Sequence, residues 1–151
     1  MKISEKLPNT LTGIAGEYFV AAELSRRGYM ASITLRNNDS VDIHASKLSN
    51  DKIFAIQVKT NQSGKAAWVL SQKSEIHHKE NFFYVFVALR GENERPHYFI
   101  VPSKKVAEYV REGHSNWLAK PGKKGQAHND SSMRKFDDKN GEFLEKWDLL
   151  S

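Results

Sequence analysis

Three side chains of different chemistry lie close together in this sequence: a carboxylate at Asp42, an amide at Gln57 and an ammonium at Lys59. Carboxylate and amide oxygens are the ligands that hard divalent cations prefer. A lysine ammonium is a compact positive charge that attracts phosphate. If these three groups meet, they form a site that can hold a divalent cation and a phosphate.

The residue pattern of two short segments predicts that the three groups do meet. One segment alternates apolar residues with small or polar ones: Phe54, Ile56 and Val58 against Ala55, Gln57 and Lys59. This period of two is typical of a strand with one buried face. In the other segment, Asp42 and His44 alternate with the apolar residues of 41–45. Paired as a hairpin, the two strands would present Asp42, Gln57 and Lys59 on one side of a sheet.

A simpler interpretation of Asp42 and Lys59 competes with this one. Opposite charges on neighbouring strands form ion pairs at many protein surfaces, and such pairs add little stability. His44 shares the predicted face with Asp42 and could hold its carboxylate by a hydrogen bond. Considered without any relative, the residues leave the site and the ion pair both open.

Composition narrows the class of protein. A chain of 151 residues predicts a single domain, and its 39% apolar and 27% charged residues are ordinary for a globular protein. No apolar run approaches the length of a membrane helix, and no signal-peptide core is present, so we expect no membrane partner. The absence of cysteine excludes disulfides and thiolate metal sites and fits a cytoplasmic location. A net charge of +5 favours an anionic partner such as nucleic acid.

The first helix is predicted over about 9–27. Its core-facing residues are predicted to be Leu11, Ile14, Ala15, Tyr18 and Ala22. Glu17 lies at the edge of that stripe, where a solvated glutamate is the simplest interpretation. Gly13 and Gly16 leave the helix surface bare, so that another backbone or a ligand could approach closely.

The remaining elements predict an α/β domain. In chain order they are strands over about 29–35, 41–45, 54–59 and 66–70, a helix over 71–79, strands over 82–89 and 97–101, and a helix over 102–113. A polar turn is predicted over Arg36–Ser40, with Asp39 as a turn residue. The run Phe82–Leu89 is apolar almost throughout, which is typical of a central strand with helices on both sides of the sheet.

The region after the last predicted helix has a different texture. Residues 114–140 are basic and loop-like, and include Lys123 and Lys124. This segment is either a loop that contacts phosphate or a solvated surface excursion, and the second is the simpler interpretation. Residues 143–150 are too apolar for a free tail, so we expect a closing helix docked on the body or on a second copy.

At this point the pattern resembles a known family. The segments Thr12-Gly13-Ile14-Ala15-Gly16-Glu17-Tyr18, Gly28-Tyr29, Val41-Asp42-Ile43 and Ile56-Gln57-Val58-Lys59-Thr60 resemble the PD-(D/E)XK nuclease superfamily, in its branch with a Q-x-K ending. The likeness covers roughly residues 9–113. It implies the restriction-endonuclease-like fold, with an αβββαβ core and a mixed central sheet flanked by helices. It also implies phosphodiester hydrolysis in nucleic acid with Mg²⁺, for which Mn²⁺ can substitute.

The resemblance implies a role for each matched residue. Glu17 is similar to the first-helix acid, Asp42 to the central metal ligand, Gln57 to a replacement of the second acid, and Lys59 to the catalytic lysine. The main-chain carbonyl of Val58 would be a further metal ligand. Val41 stands where the family often has proline. Because Gln57 is neutral, it supplies less negative charge than a carboxylate, and metal affinity should drop.

Two functions therefore remain. The first is a Mg²⁺-dependent endonuclease acting on DNA as a homodimer, because cutting two strands usually requires two sites. Its candidate phosphate contacts are Gln72 and Lys73 on the predicted middle helix and Lys123 and Lys124 in the basic loop. The second is an inactive nuclease-fold protein that binds nucleic acid or another protein. Trp68 is expected in the core or beneath the site, and the adjacent His77 and His78 make a poor chelate.

Overall fold

The structure, a computed structural model, describes residues 5–35 and 41–151. These residues form two α-helices and seven strands, in the order α1 (Asn9–Arg26), β1 (Tyr29–Ile33), β2 (Ile43–Lys47), β3 (Ile53–Asn61), β4 (Ala67–Ser71), β5 (Phe82–Ala88), β6 (His97–Pro102), α2 (Ser103–Ala119) and β7 (Met133–Asp137). Short 3₁₀ turns occur at Gln72–Glu75 and Trp147–Leu149. The turn predicted over Arg36–Ser40, with Asp39, lies outside the described residues.

The centre of the fold is a five-stranded mixed sheet in the order β1-β2-β3-β5-β6. Strands β3 and β5 are parallel, and the other neighbours are antiparallel. One core joins α1 to one face of the sheet, and a second core joins α2, β4 and β7 to the other. The predicted α/β class, with a mixed central sheet flanked by helices, is confirmed. Within the described ranges, no helix has the length and apolarity to span a bilayer.

Strand β5 lies between the two cores, as its unbroken apolar run predicts. All of its residues are buried. Val85 and Val87 belong to the core on the α1 side, whereas Tyr84 and Phe86 belong to the core on the α2 side. The parallel β3–β5 pair places the predicted Gln57 and Lys59 strand at the middle of the sheet.

The connection from β3 to β5 differs from the prediction. The strand predicted over 66–70 is present as β4, but in place of the α-helix predicted over 71–79 there is one short 3₁₀ turn, Gln72–Glu75. Strand β4 pairs with β7, which lies in the segment predicted to be a loop. Arg134 of β7 donates from Nε to Glu75 Oε1 over 2.6 Å, so β7 also holds the turn. The ion pair with Arg134 and the pairing of the preceding strand therefore hold the start of the predicted helix as a short turn.

The inward face of α1 also differs from the prediction. The buried residues are Thr12, Gly16, Val20, Glu23 and Leu24, whereas most of the predicted core stripe faces solvent. The cause is a close approach at Gly16. A Cβ atom on Gly16 would lie 1.7 Å from Thr60 Oγ1 of β3, whereas one on Gly13 would meet nothing within 4 Å. The helix therefore packs on the sheet through its small-residue side.

Residues 143–150 dock on the body, as expected, but without a closing α-helix. Ile100 N donates to Phe143 O over 3.1 Å and Glu145 N donates to Tyr98 O over 2.8 Å, so the segment covers the free edge of β6. Trp147 and Leu150 are buried in the core on the α1 side. Because β6 supplies hydrogen-bond partners to this segment, it forms turns, a single bridge at Leu144 and one 3₁₀ turn in place of an α-helix.

A charged network joins this closing segment to α1. The Arg95 guanidinium donates to the Glu145 carboxylate and also lies 3.2 Å from Glu23 Oε1. Trp147 Nε1 donates to Glu145 Oε2 over 2.7 Å. Burial favours the neutral acid, but the hydrogen bonds from Arg95 and Trp147 outweigh it and lower the pKa of Glu145 below its ordinary value. The ionised carboxylate of Glu145 therefore stabilises the folded state.

We expect Gly16→Ala to lower the free energy of unfolding by about 1–3 kcal/mol, because the new methyl group overlaps Thr60. Gly13→Ala, on the same helix, should instead raise it by about 0.5–1 kcal/mol, because alanine is the better helix former and meets open space. Urea unfolding of both variants is the measurement. Equal effects of the two substitutions would contradict the close contact.

We expect Glu145→Gln to lower stability at pH 7 by about 1 kcal/mol, a small value because Glu145 is partly exposed. A depressed pKa stabilises the fold above the unfolded value of 4.5, and this contribution is lost as the pH falls through the folded value. The difference between wild type and variant should therefore shrink below pH 4.5. Urea unfolding at pH 7 and pH 3 tests this, with the exposed Glu142→Gln as control. A difference independent of pH would exclude the carboxylate charge as its cause.

Candidate active site

Asp42 lies at a bend immediately before β2, which begins at Ile43 and not at Val41 as predicted. Its N–H donates to Ile56 O over 2.9 Å, and its Oδ2 accepts a hydrogen bond from Val58 N–H over 2.8 Å. Because Asp42 precedes the strand, its side chain is not restricted to one face of the sheet. The carboxylate instead lies along the edge of β3.

The main chain of Val58 is part of this edge. Strand β3 runs to Asn61, but its pairing with β2 covers only Ile53–Ile56. In an extended strand the N–H and C=O of one residue point to the same neighbouring side. The Val58 carbonyl, predicted as a metal ligand, therefore points to the side on which Asp42 lies.

Glu17 and Asp42 line one cleft. Gly13 and Thr34 line it as well, and its volume is about 320 Å³. The contact of Gly16 with Thr60 fixes this part of α1 against β3, and the missing side chain of Gly13 leaves the cleft open. Two carboxylates beside a carbonyl attract a hard cation, and the cleft has room for the water that Mg²⁺ retains. The structure brings together the two acids that the sequence pointed to.

Gln57 and Lys59 line a second cleft, on the opposite face of β3. Lys73 and Tyr84 line the same cleft. None of the ion pairs between described residues involves Lys59, so the simple cross-strand pair is not what the structure shows. Burial raises the pKa of Tyr84 to about 12, which keeps its hydroxyl neutral. Lys59 is the cationic group of β3 at this edge.

A third cleft lies between these two. Lys59 lines it together with Asn9, and Asn9 lines the cleft of Glu17 and Asp42. Val58, whose N–H binds Asp42, lies between Gln57 and Lys59 in the chain. The predicted groups thus surround one strand edge, whereas the sequence predicted them on one face of the sheet. The prediction was wrong because Asp42 lies at a bend, where the alternation of faces along a strand does not apply.

Of the candidate phosphate contacts, all within the described residues, only Lys73 lines a cleft with Lys59. Lys73 lies beside Lys59, while Gln72 is exposed and its N–H donates to Ser132 O over 2.8 Å. Lys123 and Lys124 lie in a turn after α2 and line none of the three clefts around the edge of β3. The buried Trp68 donates from Nε1 to Val87 O over 3.0 Å, which confirms its expected place in the core.

Sequence reasoning gave little weight to the histidines near this site. His77 lines both the cleft of Lys59 and a neighbouring one that contains His44 and His78. The signal that could have found it is its short distance along the chain from Lys73. In residues 5–35 and 41–151, no three His, Asp or Glu side chains gather as a metal group. The predicted ligand set contains two carboxylates, and its other two members are an amide and a carbonyl.

Comparisons with known proteins add one likeness. No family model and no curated protein matches this sequence. Among solved structures, the chain is similar to Hjc, a Holliday junction resolvase from the archaeal hyperthermophile Archaeoglobus fulgidus. The match covers 83% of this chain and 84% of that chain, at 15% identity and a TM-score of 0.44. The role of each site residue therefore has to be tested on this chain itself.

We expect Gln57→Glu to tighten Mg²⁺ or Mn²⁺ binding by about tenfold, because a carboxylate adds negative charge to the ligand set. Glu17→Gln should weaken binding by a similar factor for the opposite reason. Isothermal titration calorimetry with Mn²⁺ measures both, and Gln72→Glu, an exposed glutamine nearby, is the matched control. If Gln57→Glu and Gln72→Glu change affinity equally, Gln57 is not a ligand.

Proposed function

We propose that this protein is a Mg²⁺-dependent endonuclease that hydrolyses phosphodiester bonds in DNA. One observation supports this above the others: the Asp42 carboxylate binds the edge of β3 between Gln57 and Lys59, and it shares a cleft with Glu17. The sequence resemblance to the PD-(D/E)XK superfamily points to the same four residues.

In this proposal the acids hold the metal. Asp42 and Glu17 would bind Mg²⁺ from their shared cleft, and the Val58 carbonyl, at the same edge of β3, would be a further ligand. Gln57 lines the cleft on the other face of β3, so its side-chain oxygen would have to reach around the strand edge to bind the same ion. When bound, the ion would polarise the scissile phosphate and lower the pKa of the attacking water. Mn²⁺ would substitute for it, since both ions accept carboxylate and carbonyl oxygens.

Lys59 would act on the phosphate. Negative charge grows on the phosphate oxygens as water attacks, and a fixed cation beside them stabilises that charge. None of the ion pairs between described residues includes Lys59. Its ammonium could therefore bind a phosphate without first breaking such a pair. Lys73 in the same cleft would hold a neighbouring phosphate of the strand.

The charge of the whole molecule supports a polyanionic substrate. A net charge of +5 favours association with DNA at low salt. Two antiparallel strands require two cuts, so we also propose that the protein acts as a homodimer. The exposed Lys123 and Lys124 would contact DNA away from the site, as a second part of the same interface.

The neutral Gln57 favours a second candidate function. With an amide in place of an acid, the site contains less negative charge than the family pattern, and Mg²⁺ binding weakens. The protein would then be an inactive nuclease-fold module that binds nucleic acid through Lys59 and Lys73. Its binding would depend steeply on salt, with or without metal.

Cleavage of labelled duplex, single-stranded and branched DNA in the presence of Mg²⁺ or Mn²⁺ tests the proposal. We expect Asp42→Asn and Lys59→Met to slow cleavage by about 10²-fold or more, because the first removes a charged metal ligand and the second removes the cation beside the phosphate. Asp42→Asn keeps an oxygen that can accept from Val58 N–H, so the fold should survive. Lys65→Met, in the exposed loop after β3, is the matched control and should cut normally.

Three outcomes separate the candidates. Metal-dependent cutting that disappears in Asp42→Asn and Lys59→Met supports the nuclease. Cutting that persists in both variants rejects this site. Salt-dependent DNA binding without cutting on any substrate favours the inactive module.

A further inference from the structure

A cleft between α2 and β7 takes no part in the site described above. Its volume is about 410 Å³, and three residues of α2 form one wall: Tyr109, Gly113 and Trp117. They are spaced four residues apart, so they lie on one face of the helix. Outward residues of β7, with Met133 and Lys135 among them, form the other wall. We call this space the α2–β7 cleft.

Gly113 leaves the middle of the helical wall bare. A Cβ atom at this position would meet nothing within 4 Å, so no close contact requires the glycine. Glycine also weakens a helix interior relative to alanine. Tyr109 and Trp117 lie one helical turn before and after it, about 12 Å apart along the helix axis. The bare surface between these two aromatic side chains has the shape of a slot for a flat ring.

The indole of Trp117 is exposed and yet held in place. It is 41% exposed. The ring of His128 stacks on it with the centroids 4.1 Å apart, and the ring of His114 lies near it at 5.7 Å. His114 Nε2 is in turn 2.8 Å from Asp130 Oδ1. Because its neighbours already fix it, Trp117 loses little freedom when a further flat ring binds.

The charges around the cleft favour an anionic ligand. Lys135 is exposed, and none of the ion pairs between described residues includes it. The Asp137 carboxylate is engaged by Tyr109, since burial and then the hydrogen bond to Asp137 raise the pKa of Tyr109 to about 12. Residues 114–140 contain six lysines and arginines against three aspartates, a net charge of +3. A ligand that joins a flat ring to a negative charge therefore fits.

The position of the cleft favours nucleic acid as that ligand. Ser71 of β4 lines the cleft of Lys59 and Lys73, and it pairs with Met133 of the α2–β7 cleft. Residues directly opposite one another in antiparallel strands have side chains on the same face, with Cβ atoms about 5 Å apart. A phosphate chain bound at Lys59 can therefore continue across Ser71 to the α2–β7 cleft. An acidic peptide has no corresponding reason to occupy both places.

We propose that the α2–β7 cleft binds an unpaired base of a single-stranded DNA segment. The base lies over Gly113 between Tyr109 and Trp117, and Lys135 binds a phosphate beside it. A paired base is stacked inside the duplex and cannot enter, so the cleft selects DNA that contains unpaired bases. The inference rests on the proposed function for its ligand, DNA, and adds which DNA structure the protein prefers.

Trp117 provides the signal for a test. The chain has three tryptophans, and the other two, Trp68 and Trp147, are only 4% and 5% exposed. Short oligo(dT) is compared, without metal, with a strand of equal length in which abasic sites keep the phosphates and remove the bases. We expect oligo(dT) to quench tryptophan fluorescence and to bind about tenfold more tightly, because stacking of a single base contributes that much. Equal affinity of the two strands overturns the proposal.

Two variants locate the preference in the cleft. Trp117→Leu removes the stacking ring, and Gly113→Leu fills the slot with a good helix former in open space. Each should abolish the preference for oligo(dT) and leave circular dichroism and binding of the abasic strand unchanged, as measured by the anisotropy of labelled strands. Leu118→Ala, at the neighbouring exposed residue of α2, is the matched control and should keep the preference.

A preference for oligo(dT) that survives both cleft variants overturns the proposal. So does quenching by an acidic, tyrosine-containing peptide but not by oligo(dT), which would indicate a protein ligand. Because no metal is present, the outcome is separate from the cleavage test. A protein that cuts DNA without preferring oligo(dT) lacks this base site, whereas one that prefers oligo(dT) without cutting has the base site and lacks the nuclease activity.

Discussion

The contact between Gly16 of α1 and Thr60 of β3 is the constraint on which the arrangement of this molecule depends. There is no room for a side chain at residue 16, so the helix lies closer to the strand than any other residue would allow. This approach fixes the rotation of α1 about its own axis. One consequence is that Glu17 reaches the cleft of Asp42; another is that Leu11 and Tyr18 point outward.

A second constraint is the unequal length of β2 and β3. Because β2 begins only at Ile43, the later residues of β3 present main-chain groups that no β2 residue meets, and Asp42 binds one of them. A main-chain donor, the N–H of Val58, holds the carboxylate. Glu17 and Asp42 lie on one side of the strand and Lys59 on the other, with the strand edge between them.

Local pattern predicted much of this fold. The apolar run of β5 predicted its burial between two layers, and the alternation of β3 predicted which of its residues face the α1 core. These predictions were correct because the burial of each residue in these strands follows from the pattern of the strand itself. The face of α1 could not be predicted in the same way, because hydrophobic spacing favoured Leu11 and Tyr18 while a steric fit at Gly16 decided the packing. Strand β7 was not predicted, because its charged residues are typical of a loop. One of them, Arg134, is nevertheless buried together with Phe136.

The sequence placed the candidate site residues on one face of the sheet, and the structure arranges them differently. Alternation placed Asp42 on the same face as Gln57, yet the bend at Asp42 turns the carboxylate to the strand edge. No pattern in the sequence marks that bend. The choice between an ion pair and a functional lysine was likewise beyond the sequence, since it depends on which acids the fold brings within reach of Lys59.

The docking of residues 143–150 has a consequence for how the protein is made. Glu23 in the first helix shares Arg95 with Glu145, and Trp147 and Leu150 fill the same core as Val20 and Leu24. A nascent chain on the ribosome must therefore wait for its late residues before the layer beneath its first helix can close. Until they emerge, part of the apolar surface beneath that helix stays exposed to water.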